Sequence, residues 1–231
     1  MYIYKKKLEI MIKLFFSLML STSLFACQNT PNNSTPKVAL AKVVTMDKID
    51  TTGLENAYMT GGCFWKMDAI YQMVKGVKFV EVGYSGGTTK NPTYEQVGTR
   101  KTGHSETVHV MYDPKVISYS EILKIFFNVH DGSILNQEGN DVGNDYRSAV
   151  FALNDSQKSI AEKMITDVNA GKEKAYTNHI VTVVEPFKNF YRAEEYHQNY
   201  YNLHPDEGYT YGVVRLKVEH FKSMFADKIK M

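Results

Sequence analysis

The sequence predicts an α+β fold, a mixed and mostly antiparallel sheet with helices packed on it. Two stretches, Val77–Tyr84 and Glu106–Tyr112, alternate with period two, as strands with one buried face do. Two others, Cys63–Lys75 and Ser118–Val129, repeat apolar residues three and four positions apart, as amphipathic helices do. Strands and helices come in similar number but irregular order, unlike the steady alternation of a parallel α/β sheet.

Each element has a local reason. Asn56–Thr60 is a short strand that ends at Gly61-Gly62. The helix from Cys63 carries Phe64, Met67, Ile70, Tyr71 and Val74 on one face, and Gly76 stops it. After the strand Val77–Tyr84, the stretch from Ser85-Gly86-Gly87 to Pro92 reads as a long flexible loop. The strand Glu106–Tyr112 closes at Asp113-Pro114. Ser118 or Ser120 caps the next helix, which buries Ile122, Ile125, Phe126 and Val129. Tyr146–Leu153 reads as a strand, and Asn154 or Asp155 caps a helix that runs to Asn169. Ile180–Val184 is a further strand, and Ala193–Asn202 and Val214–Ala226 are the last helices.

The 231 residues hold 27 Lys+Arg against 25 Asp+Glu, and 2 Cys. Residues 53–231 are enough for one core that needs no disulfide framework. Balanced charge argues against a nucleic-acid binder. With neither an H-E-x-x-H nor a C-x-x-C pattern, no metal site is expected. Lys5, Lys6, Lys7 and Lys13 precede a 12-residue apolar run, Leu14–Phe25. Such a run is too short to cross a ~30 Å hydrocarbon layer and reads as a secretory signal starting at Met1 or Met11. It ends Leu24-Phe25-Ala26-Cys27, which resembles a bacterial lipobox. Residues 1–26 are therefore expected to be a lipoprotein-type signal peptide, with Cys27 lipidated. Residues 27–52, polar and Pro-containing, are the flexible tether. The protein is expected to be exported and anchored by lipid at a bacterial membrane, facing the periplasm or the exterior.

The segment richest in chemistry is Gly61-Gly62-Cys63-Phe64-Trp65. A Cys after a Gly pair, at a strand-to-helix junction, sits among unpaired backbone N–H groups. The positive helix end is expected to lower the thiol pKa below its usual ~8.5 and favour the reactive thiolate. The Gly pair would let a substrate approach the backbone. Two other readings compete: a thiol hydrolase or acyltransferase with His104 or His197 as base, and a surface lipoprotein whose Cys63 is buried and inert.

Gly62-Cys63-Phe64-Trp65 resembles the signature of the peptide methionine sulfoxide reductase A (MsrA) family. Further blocks resemble that family in its order: Gly83-Tyr84-Ser85-Gly86-Gly87, Asn91-Pro92-Thr93-Tyr94, Thr102-Gly103-His104-Ser105-Glu106, Tyr112-Asp113-Pro114, Gly139–Gly143, Tyr146-Arg147-Ser148 and Ala193–Tyr200. The similarity covers residues 57–204. It implies a two-layer sandwich with a ferredoxin-like core. It also implies reduction of methionine S-sulfoxide, free or in proteins, to methionine, a repair activity. By the same resemblance, Cys63 is the nucleophile and passes through a sulfenic acid. Glu106 is the acid, and Tyr94 and Tyr146 are hydroxyl donors to the sulfoxide oxygen. Phe64 and Trp65 form an apolar wall for the S-methyl group, and Asp141 places the substrate or a water. Burial among aromatics would suit Glu106 to its role, because desolvation raises a carboxyl pKa. No metal or bound organic cofactor is implied.

Many members of the family carry resolving cysteines near the C-terminus, but residues 208–231 here contain none. Recycling of Cys63 is therefore expected from an external thiol, a thioredoxin-like protein or a small-molecule dithiol. The expected partners are that reductant and oxidised proteins or peptides, with no nucleic acid, and the chain is expected to be a monomer. The sequence also departs at Lys66-Met67-Asp68, where the family often has Gly-x-Glu. Arg147 and His104 flank the site and either orient its carboxylates or pair with surface acids.

Overall fold

Four strands and two helices in the order β-α-β-β-α-β make the centre of the computed structural model, which describes residues 46–172 and 179–230. Strand β1 is Glu55–Thr60, β2 is Val77–Ser85 and β3 is Ser105–Tyr112. The hairpin strands β4 and β5 are Gln137–Glu138 and Asp141–Val142, and β6 is Ala149–Ala152. Strands β7 and β8 are Val183–Pro186 and Phe190–Arg192. Helices α1 (Phe64–Met73) and α3 (Tyr119–Val129) are the two crossovers, and α2 (Tyr94–Gly98) is a short helix between β2 and β3. Helix α4 is Asp155–Asn169, α5 is Tyr200–Leu203 and α6 is Arg215–Met224.

The sheet has six strands in the order β7-β6-β1-β3-β2-β8. Its middle four, β6-β1-β3-β2, are antiparallel throughout and follow the split βαβ pattern of ferredoxin-like folds. Only β7 is parallel to its neighbour. The expected α+β class therefore holds.

Side-chain alternation separates the two sheet faces. Ala57, Met59, Val108, Val110, Tyr112 and Val150 point to the helices and join Ile70, Ile122, Phe126 and Phe221 in the main core. On the other face Tyr58 stacks on His109 and Phe187. Glu106 shares the parity of Val108 and Val110. It therefore enters the helix-covered side of the sheet at its end, where α1 begins.

Several elements differ from the sequence reading because their backbone groups bond to partners outside the expected element. Tyr146 is not in a strand: it closes a 3-10 turn, Asn144–Tyr146, and its carbonyl accepts from the Gly62 N–H at 3.2 Å. The strand expected at Ile180 begins only at Val183. Before it, the Ile180 N–H goes to Asn169 Oδ1 and the Val181 N–H to the Gly132 carbonyl. The helix expected over Ala193–Asn202 is broken. Gln198 bonds both the N–H and the carbonyl of Val82, and Asn199 turns left-handed (φ 57) to give its N–H to Asp68. Helix α2 lies just past the loop expected to end at Pro92, in a stretch where no element was expected, and is capped by a Thr93/Gln96 capping box. The expected signal peptide, Cys27 and residues 27–45 of the tether lie outside the described residues. A 3-10 turn at Met46–Lys48 falls in the tether's last part. No helix among the described residues is long and apolar enough to cross a membrane.

Candidate active site

Cys63 is the residue before α1, three positions past the end of β1. Packing requires the Gly pair ahead of it. A Cβ on Gly61 would lie 2.8 Å from the His130 ring, and one on Gly62 would lie 2.3 Å from Glu138 Cγ. Gly62 also has φ +74, which favours glycine.

One cavity of about 310 Å³ is lined by Cys63, Phe64, Trp65, Tyr94, Glu106, Asp141, Tyr146 and Tyr209. The structure thus gathers every expected site residue of the domain in one place. Cys63 is 8% exposed and Glu106 4%. The Phe64 N–H, an unpaired donor at the start of α1, donates to Glu106 Oε2 at 2.9 Å. Tyr94 opens α2, and its N–H donates to Glu194 Oε1 at 2.9 Å. The same carboxylate accepts from the Tyr84 hydroxyl at 2.8 Å. Trp65 stacks flat on Tyr200 at 3.8 Å, and its indole N–H donates to His197 Nδ1 at 3.2 Å. Asp141 lies on β5 and accepts from the Tyr209 hydroxyl.

Electrostatics correct one expectation and support another. Burial first, and the Glu106 carboxylate second, push the Cys63 thiol well above its usual range. The Trp65 N–H and the Lys66 ammonium act the other way without offsetting this. The depressed thiol pKa expected from the helix start is therefore absent in the free site. Burial raises Glu106 to about 8 despite the Phe64 N–H, so it is protonated near neutrality. Burial also lifts the Tyr94 hydroxyl to about 12 and pushes Tyr146 higher, so both are proton donors.

The flanking residues have other work. His104 accepts the Gly87 N–H at 3.1 Å and bonds the Thr89 carbonyl at 2.8 Å, which shapes the loop. Arg147 pairs with Glu185 at 3.6 Å, not with the site's acids. His197 is held neutral by burial, with its pKa lowered to about 4, and serves Trp65. Three residues were not singled out from the sequence: Tyr209, Glu194 and His197 as the partner of Trp65. Glu194 and His197 lie inside the Ala193–Tyr200 block, but their contacts are long-range and leave no periodic trace. Tyr209 stands in the Gly208–Gly212 stretch, noticed only for lacking cysteine.

The cavity shared by Cys63 and Glu106 has no histidine in its lining, so the hydrolase reading loses its base. A thiol that faces a carboxylic acid and two tyrosine hydroxyls belongs instead to a thiol-dependent oxidoreductase, equipped to receive oxygen from a polar S–O group.

Known proteins narrow that class. The family described as "Peptide methionine sulfoxide reductase" matches residues 55–229. The Picrophilus torridus peptide methionine sulfoxide reductase MsrA is 47% identical over 172 residues, 74% of this chain and 96% of that protein. The Nitratiruptor protein of the same name is 48% identical over 176 residues, 76% of this chain and 99% of its own. Methionine sulfoxide reductase A of Corynebacterium diphtheriae superposes with a TM-score of 0.61 at 29% identity, covering 71% of this chain and 81% of that one. Mxr1 from Saccharomyces cerevisiae in reduced form gives a TM-score of 0.61 at 32% identity, covering 71% and 94%. The chain belongs to the peptide methionine sulfoxide reductase family, MsrA type, and its activity is that of a peptide-methionine (S)-S-oxide reductase.

Proposed function

We propose that Cys63 takes the oxygen of a methionine S-sulfoxide, with Glu106 as the acid and the Tyr94 and Tyr146 hydroxyls as donors to that oxygen. The observation that carries this reading is the single cavity shared by these four residues and the Phe64, Trp65 and Asp141 side chains. The sulfoxide oxygen bears partial negative charge. Three O–H donors stabilise it as the S–O bond weakens, which is where catalytic electrostatics act. Phe64 and Trp65 face the S-methyl group, and Asp141, held by Tyr209, places the substrate or a water.

The raised thiol pKa sets the order of events. In the free site Cys63 is a neutral thiol beside Glu106. When the sulfoxide binds, Glu106 delivers its proton to the oxygen and takes up the thiol proton as sulfur attacks. The methionine S–O bond breaks, methionine leaves, and Cys63 becomes a sulfenic acid. One thiol then condenses with it, forming a mixed disulfide and water. A second thiol displaces Cys63 as the free thiol and leaves as a disulfide. Cys63 is the one cysteine of the sequence after Cys27. The two thiols therefore come from outside, from a thioredoxin-like protein or a small dithiol. The substrates are oxidised proteins and peptides. Cys63→Ser abolishes reduction of a methionine sulfoxide peptide, and Glu106→Gln slows it with the fold intact. Normal turnover by both variants would end this reading.

The same reading includes export and lipid anchoring at Cys27, supported by the basic start, the 12-residue apolar run and Leu24-Phe25-Ala26-Cys27. Metabolic labelling with a fatty acid should mark the protein and should fail in Cys27→Ala. Equal labelling of both proteins would remove the anchor. Turnover with thioredoxin against dithiothreitol, with and without Cys27, identifies the electron donor.

A further inference from the structure

Cys63 faces a second cavity, of about 380 Å³, lined also by Lys66, Glu138, Asn140, Val213 and Lys217. Phe64, Trp65, Tyr94, Glu106 and Tyr146 line the first cavity and are absent from the second. Asp141 and Tyr209, hydrogen-bonded to each other, belong to both linings. Cys63 therefore borders two cavities, and the second lacks Glu106, Tyr94 and Tyr146, the three O–H donors for a sulfoxide oxygen.

Its charge is organised around one carboxylate. Glu138 Oε1 lies 2.9 Å from Lys66 Nζ and 3.2 Å from Lys217 Nζ. Burial opposes ionisation of Glu138, yet its cationic neighbours hold the carboxyl at about 2. Two ammonium groups thus share one carboxylate at this end. The remaining charged group of the lining, Asp141, accepts from Tyr209 near Cys63. Lys66 is buried and fixed by the Gly61 carbonyl at 3.0 Å, whereas the Lys217 side chain is 39% exposed. A cation at each of these depths gives an entering carboxylate a path toward the sulfur.

We propose that this second cavity docks a small thiol bearing a carboxylate, the carboxylate on Lys66 and Lys217 and the sulfur at Cys63. The proposal rests on the Cys63 sulfenic acid reading. The bound thiol sulfur attacks the Cys63 sulfur, forming an S–S bond and breaking the S–O bond; the oxygen leaves as water with the thiol proton. A second molecule of the same thiol attacks the mixed disulfide. Cys63 returns as a thiol, and the two small thiols leave joined as a disulfide. Sulfoxide and reductant then enter by different cavities that share Cys63.

The test isolates the reducing half of the cycle. The protein carrying Cys27→Ser is oxidised by a single turnover with methionine sulfoxide and no thiol. It is then mixed with 3-mercaptopropionate, 2-mercaptoethanol or cysteamine at equal thiolate concentration. Loss of the sulfenic acid is followed by quenching and mass measurement. The anionic thiol should react fastest. In Lys217→Glu its advantage over 2-mercaptoethanol should fall by about fivefold, the upper range for a half-exposed ion pair. Reduction by 2-mercaptoethanol and the preceding oxidation by sulfoxide should be unchanged. Equal rates for the three thiols, or a Lys217→Glu effect shared by all of them, would overturn the proposal. Absence of any sulfenic acid after the first step would overturn the Cys63 reading itself, and this proposal with it.

Discussion

The backbone N–H of Phe64 donates to Glu106 Oε2 at 2.9 Å, so the helix start that presents the thiol also holds the acid. Nucleophile and acid are thereby placed by one structural feature. The bond favours the Glu106 carboxylate, but burial is stronger, and the acid keeps its proton to about pH 8.

That balance fixes the pH dependence of the oxidative half-reaction. The active form carries a protonated Glu106, and its pKa is raised to about 8. Single-turnover rates with methionine sulfoxide should fall as pH rises through about 8. The Cys63 thiol is pushed well above its usual range and does not offset the loss there. Glu106→Gln should lower the rate by about 10²–10⁴ and abolish the alkaline fall. A fall that persists in this variant would assign it to another group.

Tyr94 and Tyr146 act on the same oxygen from separate elements, α2 and the turn before β6. Each Tyr→Phe change should cost up to about tenfold in kcat/KM, the worth of one hydrogen bond. The double variant should lose more than either single one. Wild-type rates in both single variants would remove the hydroxyls from the reaction.

Two buried carboxyls make the fold less stable as pH rises. Burial raises Asp68 to about 7 from 3.8 and Glu106 to about 8 from 4.5. A raised acid pKa means the native state binds more protons than the unfolded chain. The stability that these two groups contribute is therefore full below about pH 4. It declines through the windows from 3.8 to about 7 for Asp68 and from 4.5 to about 8 for Glu106. Glu106→Gln should raise stability at pH 9 by on the order of 1–3 kcal/mol while impairing activity. Urea midpoints measured across pH test this, and an unchanged slope in the variant would contradict it.

Gly62 is held by its φ of +74 and by Glu138 Cγ at 2.3 Å from any Cβ. Gly62→Ala should destabilise by about 1–3 kcal/mol and disturb the Lys66–Glu138 pair. Thermal unfolding would show it. A neutral effect would mean that Glu138 moves freely.

The strands β1, β2 and β3 and the helices α1, α3 and α4 were legible because each carries its own period, cap or stop. Cys63 was legible as a candidate because a Gly pair and a helix start bracket it. Glu106 was not legible from its own surroundings, since a carboxylate on an alternating strand is ordinarily solvated. Only the block around it pointed inward, and the parity shared with Val108 gives the physical reason. Helix α2 was missed although Thr93 and Gln96 stand at capping-box spacing. The break at Asn199 could not be read, because it depends on Asp68, 131 residues away in the chain. Tyr209 escaped for the same reason, as its partner Asp141 is 68 residues distant. The thiol pKa was read in the wrong direction: the helix start was visible in sequence, but the burial and the acid that outweigh it were not.

The most direct test is to give the protein an excess of methionine sulfoxide peptide without any thiol, and to measure both the peptide reduced and the intact mass of the protein. One peptide should be reduced per protein molecule, with one oxygen gained at Cys63 and no further turnover. Continued turnover without thiol, or reduction that leaves Cys63 unmodified, would contradict the Cys63 sulfenic acid reading.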